Sequence, residues 1–152
     1  MNTRRILLSF IILTLFTITF LGAAPYDKAK AKAVLVKTNN AIGMAHMTVK
    51  RTRKFSGKLG LSVKHERFAK KQYQAGNFDK AVLHSLAARK YATEVMAENG
   101  AKTNTLFILS AEEKSYVESK SAEELKKEVD EDSASELKDE ELMNGNLNLE
   151  VI

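Results

Sequence analysis

Between Asp27 and Gly100 the apolar positions recur at three- and four-residue steps, and the rhythm breaks twice. Ala31, Leu35, Thr38, Ile42, Ala45 and Val49 form the first series, the spacing of one face of an α-helix. It predicts a helix from about Asp27 to Lys54, weakened modestly at Gly43, because glycine inside a helix costs ~1 kcal/mol against alanine. The stretch "FSGKLGL", with Gly57 and Gly60, interrupts it. Ser62 is a good N-cap for a second helix ending near Ala75, with Val63, Phe68, Ala69 and Tyr73 on its apolar side. Gly76 and Asn77 predict a turn. A third helix then carries Phe78, Ala81, Ser85, Ala88, Ala92 and Val95 along one stripe, and Asn99 with Gly100 ends it. The second and third helices read as an antiparallel hairpin. Arg89 and Tyr91 are the contacts this helix is expected to expose to a partner.

After Gly100 the texture changes. "TLFIL" is short and apolar, either a strand or the start of a docking helix. Three Ser–Glu pairs follow at capping-box spacing: Ser110 with Glu113, Ser121 with Glu124, and Ser133 with Glu136. In that motif each side chain satisfies the other residue's backbone donor, so the spacing predicts short helical segments. Their apolar content is thin. The region is either a solvated, partly disordered acidic tail or a set of amphipathic segments folded back on the hairpin. The last residues, "NGNLNLEVI", alternate Leu147, Leu149 and Val151 and end in Ile152. Such a tail could bind a partner by adding a strand to a sheet edge, with its carboxylate held by backbone donors, as in the C-terminal ligands of PDZ domains.

The stretch "YQAGNFDKAVLHSLAARKYA" resembles the middle of a tetratricopeptide repeat. Gly76, Phe78, Ala81 and Ala88 stand at that family's spacing for turn glycine, aromatic and small packing residues, and Ala69 matches the small residue of the preceding helix. Ser85 replaces the usual aromatic, and no proline closes the unit. The likeness spans about Val63 to Met96, with no second copy. It implies repeat-like hairpin packing and not a solenoid, which needs three or more units. Small residues that allow close helix approach account for the same pattern without kinship.

The N-terminus has a different character. Arg4 and Arg5 precede an uncharged apolar run from Ile6 to Gly22, followed by Ala23, Ala24 and Pro25. A basic start, an apolar core and small residues describe a secretory signal peptide cleaved near Ala23 or Ala24; the other reading is a retained anchor. Residues 1–24 are therefore set apart as a signal segment, and the protein is expected in the periplasm or outside the cell. The chain has no cysteine. An exported domain without disulfides must be held by its apolar core.

Charge divides the remainder. Pro25 to Asn99 holds sixteen Lys or Arg against five Asp or Glu, whereas Gly100 to Ile152 holds six against fourteen. A basic domain over 25–100 and an acidic tail over 101–152 can attract each other, or partners of opposite sign. Lys50, Arg51, Arg53, Lys54 and Lys58 form the densest basic cluster, a candidate polyanion site. Phe55 is the only ring beside it, so base stacking and nucleic acid are not expected. Outside the cytosol anionic lipid headgroups, anionic cell-wall polymers or the acidic tail fit better, which leaves a membrane surface open as a partner.

No nucleophile motif, phosphate loop or acid–base pair points to an enzyme, and no cofactor is implied. Met44, His46 and Met47 offer soft ligands of the kind copper(I) takes, with His65, His84 and Met96 on neighbouring helices. The sequence thus describes an all-α protein, a small antiparallel hairpin or bundle with an acidic, partly helical or disordered tail. Its expected role is non-enzymatic binding or scaffolding in the bacterial envelope through a protein partner. The alternative is a periplasmic copper or small-ligand carrier.

Overall fold

A computed structural model describes residues 26–147, 149 and 150. The signal segment, Val151 and Ile152 lie outside the described residues. Among the latter there are six α-helices and no strand: α1 Lys28–Thr52, α2 Lys58–Gln74, α3 Phe78–Glu98, α4 Ala111–Val117, α5 Ala122–Asp132 and α6 Asp139–Leu142. A single 3-10 turn, Thr105–Phe107, precedes α4.

α1 starts where the Asp27 side chain accepts from the Lys30 backbone N–H at 2.8 Å, an N-cap. It ends at Arg53, the only non-glycine residue with positive φ among those described. The expected face is buried, from Ala31 through Leu35, Thr38, Ile42 and Ala45 to Val49. α2 and α3 form the antiparallel hairpin, turned at Gly76 with φ 82°. α3 packs along both α1 and α2, while α1 and α2 touch each other less. Buried alanines at 31, 41, 45, 81, 88 and 92 let these backbones approach, the structural use of the small-residue pattern.

α2 begins four residues before the expected Ser62. Ser62 is buried and donates its hydroxyl to the Ala88 carbonyl at 2.7 Å, bonding α2 to α3 instead of capping α2. The α2 cap comes from far along the chain. Asp139 Oδ2 accepts from the Ser56 and Gly57 N–H groups at 3.0 and 2.8 Å, and Oδ1 from Gly60 N–H at 2.9 Å. A carboxylate is the natural occupant of a helix N-terminus, where free N–H groups and the dipole both favour negative charge. Gly57 as N-cap has no side chain to do this. Gly60 leaves the space for the approach, since a Cβ there would lie 1.8 Å from the Leu137 carbonyl oxygen.

The acidic region is a strap wound around the three long helices. Phe107 and Leu109 pack beside the core alongside α1, and α4 lies on α3. α5 and α6 lie on α2, and Leu147 and Leu149 lie between α2 and α1. There the Arg67 guanidinium donates to the Leu147 carbonyl at 3.2 Å, and Asn39 donates to the Leu149 carbonyl. Capping boxes form at Ser110/Glu113 and Ser121/Glu124. The third does not form: Ser133 closes α5 as its C-cap, and its hydroxyl meets that of Ser135 at 2.9 Å. The choice left open for "TLFIL" resolves as a 3-10 turn followed by extended chain.

The core falls into two apolar clusters. One joins Ile42, Val49, Leu59, Val63, Val95 and Met96 to Leu142, Leu147 and Leu149 of the strap. The other joins Leu35, Tyr73, Val82 and Leu86 to Val117 and Leu125. Gly60→Ala should therefore lift the strap near Leu137 and Asp139, at a cost of ~1–3 kcal/mol for overpacking. Limited proteolysis should then cut first between α5 and Leu147 while far-UV ellipticity stays near native.

Candidate functional site

Between the two apolar clusters runs a seam of buried polar side chains from α2 and α3. His65, Glu66, His84, Ser85 and Arg89 are all 0 % exposed. So many fully buried polar groups in a chain this small call for a physical account, because each costs free energy unless it is paired.

Arg89 is held from the strap. One terminal nitrogen donates to Glu113 Oε1 at 2.6 Å, while Nε and Nη1 make no hydrogen bond. Glu113 also accepts from the Ser110 N–H at 3.0 Å, so the same carboxylate closes a capping box and neutralises a core cation. Burial alone would raise its pKa, but the Ser110 N–H and the Arg89 charge outweigh that and hold it below the ordinary carboxylate range. Glu66 has weaker help. Burial pushes its carboxyl up to about 8, against opposing pulls from Ser85, Arg89 and Lys70. The Ser85 hydroxyl is near enough to contribute, yet neither group completes a well-formed hydrogen bond. At neutral pH Glu66 therefore carries its proton in the folded protein.

The histidines form a relay. His84 Nε2 lies 3.3 Å from Glu128 Oε2, and His84 Nδ1 lies 3.1 Å from His65 Nδ1. A carboxylate only accepts, so His84 carries its proton on Nε2 and takes one from His65 Nδ1–H. The remaining nitrogen, His65 Nε2, is an unprotonated acceptor with no partner. Burial, then the neighbouring His84, lowers the His65 pKa to about 3. Burial also lowers His84 to about 4, against the pull of Glu128. Glu128 receives Lys120 and Lys80 as well, at 2.6 and 2.7 Å; these bonds overcome its burial and bring it down to about 2. The rings pack as a stack, His65 on His84 at 5.3 Å and on Tyr91 at 5.6 Å. His65 and Tyr91 also line a cavity of about 150 Å³ closed by Val117 and Leu125.

Chemically, the seam fastens the strap. Glu113 and Glu128 reach in from α4 and α5 to groups on α3, and Lys64–Asp130 at 2.5 Å and Lys71–Asp132 at 2.6 Å add pairs along α2. The largest open cleft, about 670 Å³ between the α1–α2 corner and the α5–α6 linker, is lined by Lys64, Lys126 and Asp130. Those three already pair with one another, and the cleft is also lined by Glu136, Lys138 and Glu140, all exposed.

The sites expected from sequence fare unevenly. Arg89 is not an exposed contact; it is fully buried, because the strap covers the side of α3 that a two-helix hairpin would leave wet. Tyr91 is half-buried against His65. Leu147 and Leu149 do not hang free as a docking strand, since both are buried in the core of their own chain. Lys50, Arg51, Arg53 and Lys54 are exposed. Lys58 is instead engaged, pairing with Glu94 at 2.9 Å and with Glu98. Met44 and Met47 are 48 % and 66 % exposed, whereas half-buried His46 donates from Nε2 to the Leu142 carbonyl at 2.9 Å. No group of three or more His, Cys, Asp or Glu suited to a metal exists among the described residues.

Sequence reasoning missed the cap from Asp139, the burial of Glu66, and the reach of Glu113 to Arg89 and of Glu128 to His84. One signal was present: Glu66 stands three residues after Val63 and three before Ala69, on the apolar stripe of α2. Comparison with protein-family models, curated proteins and solved structures gives no match. Among the described residues no second copy of the α2–α3 pair is present.

Proposed function

We propose that this is an exported, non-enzymatic binding or scaffolding protein of the bacterial envelope, acting through contacts with a protein partner. Export rests on the Arg-flanked apolar run and small residues at 4–24. The observation that carries the binding role is the strap itself. Its apolar and buried charged residues are turned inward, while Glu112, Glu118, Glu123 and Glu131 stand exposed on short helices whose backbones are pinned to the bundle. A rigid acidic face suits a basic partner surface, because ordered charges steer association and little ordering entropy remains to be lost on docking. The partner-facing elements are thus α4 and α5, not the buried Leu147 and Leu149.

Affinity capture from envelope extracts tests this with the native chain and with Glu112→Lys/Glu123→Lys/Glu131→Lys. Truncating the strap would remove Val117, Leu125 and Leu142 from the core, so surface charge reversal is the cleaner change. The native chain should retain a basic protein that is released near 1 M salt, where the screening length falls to ~3 Å. The reversed chain, equally helical, should not retain it. Equal capture by both would overturn the assignment of the face.

A further inference from the structure

The exposed large apolar side chains of this protein gather in one place. Among the described residues they are Val36, Met44, Met47, Phe55, Leu106 and Ile108. The first three lie on the outward side of α1, and Phe55 follows it directly. Leu106 and Ile108 belong to the strap segment whose 3-10 turn packs beside α1.

α1 is built for such a face. Ala29, Ala33, Val36, Met44 and Met47 are all exposed and recur at three- and four-residue steps or their sums, with the polar Asn40 and Arg51 among them, on the side of α1 opposite the buried one. At 100° per residue, Lys32 and Lys50 flank the stripe on one side, and Lys30 and Lys37 on the other. From Lys28 to Thr52 the helix has no Asp or Glu, and Arg53 and Lys54 extend the basic character beyond it. α4 and α5 pack on α3 and α2, and α6 meets α1 at His46, whose Nε2 bonds the Leu142 carbonyl on another side of the helix, so the acidic helices of the strap leave this stripe uncovered.

We propose that the outward face of α1 seats on an anionic lipid bilayer surface. The apolar stripe enters the headgroup boundary, and the flanking lysines reach sideways to lipid phosphates, the arrangement of an interfacial amphipathic helix. Charge complementarity selects this occupant: a second copy would bring two acid-free, lysine-flanked helices together. No described helix is long and apolar enough to cross a membrane, so contact is at the surface. The acidic face on α4 and α5 then points away from the lipid, towards the partner proposed above, although membrane binding does not depend on that partner.

The sequence has no tryptophan, which allows a clean optical test. Met47→Trp on the face and Glu131→Trp on α5 are made separately, in the full chain and in a chain starting at Pro25, which contains every described residue. Each is titrated with vesicles of pure phosphatidylcholine and of phosphatidylcholine with phosphatidylglycerol. Met47→Trp emission should shift to the blue only on the anionic vesicles, in both chain lengths, and Glu131→Trp emission should not move. In the Pro25 chain, Lys50→Glu/Arg51→Glu/Lys54→Glu should weaken partitioning at least tenfold, given roughly fivefold per basic residue near an anionic surface. Three results would each overturn the proposal: no shift with the Pro25 chain, equal shifts at both positions, or a lipid-independent Met47→Trp shift accompanied by dimerisation in sedimentation.

Discussion

Arg89→Ala is expected to remove about 3–5 kcal/mol of folding stability, the range for breaking one side of a buried ion pair. The guanidinium is fully buried, bonds Glu113 at 2.6 Å, and lowers the pKa of Glu66 by its charge. Removing it leaves Glu113 without its cation, makes Glu66 still harder to ionise, and opens a void between the two apolar clusters. Glu113→Ala should cost at least as much, because it leaves the fully buried guanidinium with no bonded anion, whereas the carboxylate that Arg89→Ala strands is 18 % exposed and can be hydrated. It also removes one half of the capping box of α4. Arg89 itself is imperfectly satisfied, with Nε and Nη1 unbonded, and a buried pair is weak support for stability compared with apolar packing. The double variant Arg89→Met/Glu113→Gln should accordingly recover much of what Arg89→Ala loses. Urea unfolding at pH 7, followed by far-UV circular dichroism, measures all three. A loss below about 1 kcal/mol for Arg89→Ala would mean that the guanidinium is solvated and the seam is not a core feature.

The same residue shows where the sequence stopped being readable. Residue spacing locates α1 and α3 well, and Asn99 with Gly100 marks the end of α3, because these signals are local to the helix that uses them. Two of the three capping boxes form for the same reason. What spacing assumes, however, is one buried face per helix, and α3 breaks that assumption: Ala81 to Arg89 are buried without interruption. α1 and α2 cover two sides of it and the strap covers the rest. Arg89 lies off the apolar stripe and so reads as solvent-exposed, although its charge partner sits twenty-four residues further along the chain. The start of α2 is illegible in a similar way. Its cap, Asp139, is some eighty residues distant, and Gly57 and Gly60 look like helix breakers although Gly57 supplies the positive φ of the N-cap and Gly60 leaves the space that the strap needs. Leu147 and Leu149 are both buried, with their carbonyls bonded by Arg67 and Asn39. The surface they meet, the groove between α1 and α2, could not be read from the tail itself.

Stability should peak near pH 6.5 and decline on both sides, for opposite reasons. Glu66 has a pKa of about 8 in the fold against ~4.3 in an unfolded chain. Between those values the folded state holds a proton that the unfolded state has released, so stability falls as pH rises through that window. His65 and His84, at about 3 and about 4 in the fold, behave in reverse. Unfolded histidine takes up a proton below ~6.5 that the buried rings refuse, and stability falls as the solution becomes more acidic. From pH 6.5 down to about 4.5 two histidines oppose one carboxyl, leaving a net loss of about one proton's worth, ~1.4 kcal/mol per pH unit. From pH 6.5 up to 8 Glu66 acts alone, with a slope of similar size and opposite sign. Glu128, held near 2 in the fold, adds to the acid limb only, since its contribution is intact above the unfolded carboxyl pKa and lost below it. Glu66→Gln mimics the protonated side chain in shape and charge. It should flatten the alkaline limb, steepen the acid limb towards two protons' worth because nothing then opposes the histidines, and raise stability at pH 8.5 by a few kcal/mol. Melting temperatures at pH 5, 6.5 and 8.5 for the two chains decide the matter. If the native protein is as stable at pH 8.5 as at 6.5, and the variant gains nothing there, water reaches Glu66 and it ionises as an ordinary surface carboxylate.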